Sequence, residues 1–147
     1  MVLTPVNATA FGQDGTADGD NPQLAGNVLR DPVAGWMTDW YATSTFGSLA
    51  PGTGLLLDMG RTVTVSAVRV DLGSAPGATL ELRAGAQPVT GAFQTLAVQQ
   101  GTGGAVTLTA PKPVQARYVL LWFTKLPPVG NGTYQAIVHG VTVTGQQ

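Results

Sequence analysis

The chain of 147 residues contains no cysteine. Disulfides, thiolate nucleophiles and zinc–thiolate sites are therefore excluded, while the compartment stays open. Charge is scarce as well. Only 10% of residues are Asp, Glu, Lys or Arg, against about a quarter in ordinary globular chains. Seven bases scattered from Arg30 to Lys125, with a net charge of −1, make no basic patch for nucleic acid. No apolar run approaches the ~18 residues of a membrane-spanning helix. The opening Met1-Val2-Leu3-Thr4-Pro5 lacks the basic and apolar regions of a signal peptide. Any export signal would have to lie outside this sequence.

Catalytic groups are equally few. His139 is the only histidine and Glu81 the only glutamate. A metal site needs three or four suitable ligands, and a triad needs a nucleophile and an orienting acid. His139 reads instead as a strand histidine with a local hydrogen bond. Glu81 would have to supply one of the paired carboxylates of a glycosidase. It stands two residues before Arg83, on the same face of a strand, so a surface ion pair is expected. No enzyme is expected.

What the chain does have is glycine (20), proline (10) and short apolar runs. From residue 54 strand signals recur: "GLLLDMG" (54–60), "TVTVSAVRVDL" (62–72), "ATLELRAG" (78–85), "AFQTLAV" (92–98), "GAVTLTA" (104–110), "ARYVLLWFT" (116–124) and "IVHGVTVTG" (137–145). Alternation runs through Leu55, Leu57 and Met59, then Val63 and Val65. It slips phase to Val68, Val70 and Leu72. A one-residue slip inverts every side chain, so a bulge or corner is expected near Ser66-Ala67. "GTGG" (101–104) reads as a hairpin turn. No helical stripe persists; "QLAGNVLR" (23–30) allows one short helix or helical turn. The pattern predicts one all-β domain over 1–147, an antiparallel sandwich of about eight strands. A chain this long buries around two-thirds of its unfolded surface and needs no metal or disulfide to hold it together.

"ARYVLLWFT" is apolar on both faces: Val119, Leu121 and Phe123 on one, Tyr118, Leu120 and Trp122 on the other. Either a loop or the N-terminal segment covers the second face, or Tyr118, Leu120 and Trp122 form an exposed stripe that docks a partner. Aromatics concentrate elsewhere too. "GWMTDWYATSTFG" (35–47) holds Trp36, Trp40, Tyr41 and Phe46, four of ten in the chain.

Trp36-x-Thr38, "GLLLDMG", "VTVSAVRVDL", "LELRAG", "ARYVLL" and a closing "VTVTG" follow in an order that resembles the discoidin, or coagulation-factor C-type, jelly roll of the galactose-binding-like superfamily. Within it, "TDWY…FG.LAPGTGLLLDMG" and "RYVLLWFTKLPP" look like the extracytoplasmic C-terminal domain of actinobacterial membrane-anchored kinases and pseudokinases of the MviN type. The resemblance implies an eight-stranded jelly roll without an active site, whose relatives bind glycans, phospholipid surfaces or proteins through loops at one end. It also implies a place in the cell envelope, as part of a larger membrane-anchored protein. It makes Trp36 and Thr38 structural and brings Trp40 and Tyr41 near the ligand face. Exposed rings suit stacking on sugars; packing of a loop over the sandwich is the competing role for Trp40, Tyr41 and Phe46.

Two further expectations concern ions and ligands. Asp14, Asp18 and Asp20 partly match an EF-hand loop, which fails at Thr16 and Ala25. The resemblance implies instead a structural calcium on this early loop, completed by a glutamate in the last strand. Gly140 stands at that position. Asp31 adds local charge, and a solvated acidic turn is the competing reading. No cofactor is required. The ligand-binding residues are expected to be Asp39, Trp40 and Tyr41, with Arg83 and Lys125. Arg117 is expected to anchor a strand start rather than meet ligand. Asn7-Ala8-Thr9 and Asn131-Gly132-Thr133 are sequons that common chance explains. The expected partner is a cell-wall glycan or peptidoglycan fragment, or alternatively another envelope protein or a second copy. The acidic neighbours of Trp40 count against direct membrane insertion.

Overall fold

β4 (Thr53–Leu72) carries the phase slip read from the sequence, and the slip shapes the whole molecule. Leu55, Leu57 and Met59 point inward, then Val63 and Val65, then Val68, Val70 and Leu72; all eight are buried. Between these runs Gly60 takes φ 82°, a left-handed conformation that a side chain would strain. At Ser66 the register against the last strand shifts by one, so Val65 pairs with Gly145 but Ala67 with Thr144. The bend and the bulge let one strand serve two layers. The structure, a computed structural model, describes residues 1–11, 21–31, 33–38, 41, 43–44, 52–73, 76–130 and 132–147.

The other strands arrange themselves around β4. In chain order they are β1 (Val2–Leu3), β2 (Asn7–Phe11), β3 (Trp36–Met37), β5 (Ala78–Gly85), β6 (Phe93–Thr102), β7 (Ala105–Lys125), β8 (Pro128–Gly130), β9 (Thr133–Tyr134) and β10 (Ile137–Gln146). One layer runs β2, first half of β4, second half of β7, β5, β6. The other runs first half of β7, second half of β4, then β10 flanked by β1 and β3. Through the shared strands the ladder is one eight-stranded antiparallel sheet, with β8 and β9 as a separate pair. A 3-10 turn (Pro22–Leu24) and the four-residue α1 (Asn27–Arg30) fall where a short helix was expected. "GTGG" is not a hairpin turn: β6 pairs with β5 while β7 pairs with β4, so the turn passes from one layer to the other.

Inward residues of both layers meet in one core. Leu80, Leu82, Val119, Leu121 and Phe123 come from one layer, and Val68, Val70, Leu108, Val138 and Val143 from the other. Trp36 is fully buried there, its ring stacked on Phe123 at 6.4 Å, as the sequence reading assigned it.

The second face of β7 is also covered, which corrects the exposed stripe. Leu120 is 1% and Trp122 6% exposed, and Tyr118 is half-buried. Phe11 and Leu56 bury this face with them, and Phe93 packs against it. The Phe11 ring meets Phe93 edge-on at 5.6 Å and Trp122 at 6.2 Å. Gly52 and Gly54 leave the room: a Cβ on Gly52 would lie 2.6 Å from the Trp122 ring. The N-terminal strand therefore supplies the cover, and Tyr118, Leu120 and Trp122 form no open docking surface.

Candidate functional site

The loops gather at the end of the sandwich where β4 begins and β7 ends. The chain leaving β3 is pinned there. Thr38 donates its backbone N–H to the Ala136 carbonyl (3.0 Å). Its side-chain Oγ1 accepts from the Ala136 N–H (3.1 Å), and the Gln135 amide donates to the Thr38 carbonyl (2.9 Å). Both Thr38 and Gln135 are buried, so their polar groups must pair within the protein. Three residues on, Tyr41 and Tyr134 exchange both backbone hydrogen bonds, at 2.9 and 2.8 Å. The Leu126 N–H then reaches the Ser44 carbonyl at 2.8 Å. Thr38, Tyr41 and Ser44 thus tie this stretch to Ala136, Tyr134 and Leu126.

This arrangement sets two tyrosines in cross-strand register. Tyr41 and Tyr134 are both half-buried, with part of each against the core. Side chains opposite each other in an antiparallel pair stand about 5 Å apart at Cβ. Such a pair gives an apolar body with polar tips, the character that suits a sugar face. Tyr134 was missed in the sequence reading. Its only signal there was its place after the "NGT" turn, and nothing in the sequence shows that the turn folds back on residue 41.

The expected site residues divide. Tyr41 and Lys125 share the loop end, and Lys125 is exposed at the close of β7. Arg83 lies away from them, midway along β5 opposite Leu120. Its Nε and Nη2 donate to Glu81 Oε1 at 2.9 and 2.7 Å, and its guanidinium stands 5.5 Å from the Trp122 ring. It covers the outer face of its sheet. Arg117 anchors a strand as expected: Nε and Nη2 donate to the two Asp58 carboxylate oxygens at 3.0 and 3.2 Å. That hydrogen bonding holds the Asp58 pKa below its ordinary value, and the Gly60 N–H adds to the effect against the cost of burial. Asp39, Trp40 and Phe46 lie outside the described residues, between or beside the pinned positions.

The chain also overlays known binding modules along its length. CpGH89CBM32-5 from Clostridium perfringens, in complex with GalNAc-beta-1,3-galactose, matches with TM-score 0.65 at 18% identity, over 99% of this chain and 100% of that one. The CBM32 of AlyQ in complex with 4,5-unsaturated mannuronic acid matches with TM-score 0.65 at 16% identity, over 98% of each chain. Chitosan-binding module 1, from a chitosanase/glucanase of Paenibacillus sp. IK-5, gives TM-score 0.66 at 16% identity over 97% and 96%. These likenesses establish the fold. It is an antiparallel jelly-roll sandwich, the fold class expected from the sequence. No family model matches the chain. In truncated AlyQ, with CBM32 and alginate lyase domains, this fold accounts for 34% of the matched chain.

Two positions that bear on the calcium expectation are described. Gly140 is buried, pairs with Asp71 and offers no carboxylate. Asp31 is exposed, and its Oδ1 accepts from the Ala34 N–H at 3.3 Å. Among the described residues no three His, Cys, Asp or Glu converge. Asp14, Asp18 and Asp20, the carboxylates expected to hold calcium, lie outside the described residues. His139 sits in β10 where the register against β4 slips, beside Gly35.

Proposed function

We propose that the protein is a non-catalytic carbohydrate-binding module that holds its ligand at the loop end carrying Tyr41, Tyr134 and Lys125. The observation that carries this reading is the main-chain bridge of Tyr41 to Tyr134. It holds the backbones of two amphipathic residues side by side, so a ligand that meets both has less chain to order. The full-length overlay on modules solved with sugars supports the same class of ligand. Trp40 lies next to Tyr41 in sequence and, with Asp39, completes the proposed site.

The ligand proposed is a cell-wall glycan or peptidoglycan fragment, bound outside the membrane by the sensor part of a membrane-anchored protein. Support for that narrower reading comes from the likeness of "TDWY" and "RYVLLWFTKLPP" to the MviN-type domains. Among the described residues no helix is long and apolar enough to cross a membrane. Protein docking through Tyr118, Leu120 and Trp122 is not retained, because that face is buried.

Co-sedimentation with purified insoluble peptidoglycan tests the proposal. The wild type is expected to pellet, and Trp40→Ala and Tyr41→Ala to stay in solution while still folded. A folded wild type that stays in the supernatant would overturn the cell-wall assignment. Parallel trials with chitosan and alginate would then show whether the carbohydrate reading survives.

A further inference from the structure

No residue from Ala84 to Pro111 carries a charge, a run of 28 positions and the longest such run in the chain. This run includes β6, which closes the five-stranded layer. Among the described residues β6 pairs only with β5, so one side of its backbone offers unpaired N–H and C=O groups. Natural edge strands are protected by charged side chains, proline or shortness.

Two other edges show such devices. The first half of β7 carries Pro111, Lys112 and Pro113. β2 is short, with five residues. β6 has ten residues, no proline and no charge. Its register against β5 slips at Leu96 and again before Thr102, which leaves Ala97–Gln99 as a continuous middle. Val98, at the centre, is 50% exposed.

We propose that β6 pairs antiparallel with β6 of a second copy, about a two-fold axis beside Val98. A symmetric pair sets each residue against its own equivalent or a near neighbour. Like charges so placed would repel. An uncharged edge avoids that conflict in every register, whereas a charged partner strand finds no ion pair here. At the axis the two Val98 side chains meet and lose their exposure. The two-fold axis reverses the strands, so the two loop ends point in opposite directions. If those ends bind glycan as proposed above, the pair joins two glycan surfaces instead of doubling its grip on one.

Sedimentation equilibrium up to about 1 mM suits the small interface expected of one strand pair. The wild type is expected to approach twice the monomer mass, and Val98→Thr to follow it. Val98→Lys should remain monomeric with an unchanged melting temperature. A wild type that stays monomeric, or a Val98→Lys protein that still dimerises, would overturn the proposal. The chain has no native cysteine, so Val98→Cys introduces a single thiol. On mild oxidation it should form disulfide-linked dimers at least tenfold faster than Val33→Cys, a control at an 88% exposed position. Equal rates would count against pairing at Val98. None of these measurements involves a glycan, so they stand apart from the binding assay. Clumping of peptidoglycan particles by wild type but not by Val98→Lys, with equal pelleting, would tie the two together.

Discussion

Asp58 shows how a single residue joins neighbouring strands and where pH reaches the fold. Its carboxylate takes both donors of Arg117 and the Gly60 N–H, and its pKa lies below the ordinary 3.8. A carboxylate with a depressed folded pKa stabilises the protein above the unfolded pKa, and that stability is lost as pH falls through the folded value. Asp58→Asn is therefore expected to be less stable than wild type at neutral pH. The gap should close as pH falls from about 4 downward. Urea unfolding of both proteins across that range would check it; a gap constant with pH would remove the ionic role. The sequence made Arg117 a strand anchor but did not name Asp58, because the two are 59 positions apart. Local pairs were readable: Glu81 and Arg83 sit two apart on one strand face and do pair. Tyr134 was unreadable for the same reason as Asp58, since its partner Tyr41 is brought near only by the fold.

Among the elements, β7 taught most by being ambiguous. A strand apolar on both faces admits two structures, and periodicity does not choose between them. The choice depends on Phe11, which reaches the outer face from a strand more than a hundred positions earlier. Trp122 is thus a core residue. Trp122→Ala is expected to cost about 3–5 kcal/mol in urea unfolding, the range for removing a large buried ring. A loss under about 1 kcal/mol would mean that the outer face is not packed as described. Gly54 makes a stricter test. A Cβ there would press on the Leu121 carbonyl across the ladder, so Gly54→Ala should destabilise although it adds one methyl group. By contrast, the bulge at Ser66 was legible, because the hydrophobic phase itself changes there. The sequence also carried the strand runs and their order. It misjudged the "GTGG" turn, since strand partners depend on the path of the whole chain.

For the whole molecule, the apolar core and the strand pairing run through both layers. Because Gly140 supplies no carboxylate, chelation with EDTA is expected to leave the melting temperature unchanged, and added calcium to leave it unchanged as well. A clear rise with calcium would assign a site to Asp14, Asp18 and Asp20. The architecture also separates two ends. Val2 pairs with Thr144, and the N-terminal amine donates to the Gly145 carbonyl at 3.2 Å, far along the strands from the pinned loops. This geometry has a mechanical meaning. A pull on residues 2 and 146 together would peel β1 from β10 one hydrogen bond at a time, at low force. Tension between a ligand on the loops and either terminus would instead run along β4, β7 and β10. Their ladder bonds would share that load in shear, so the domain should hold far more force when tugged by what it grips than when stretched by its own two ends.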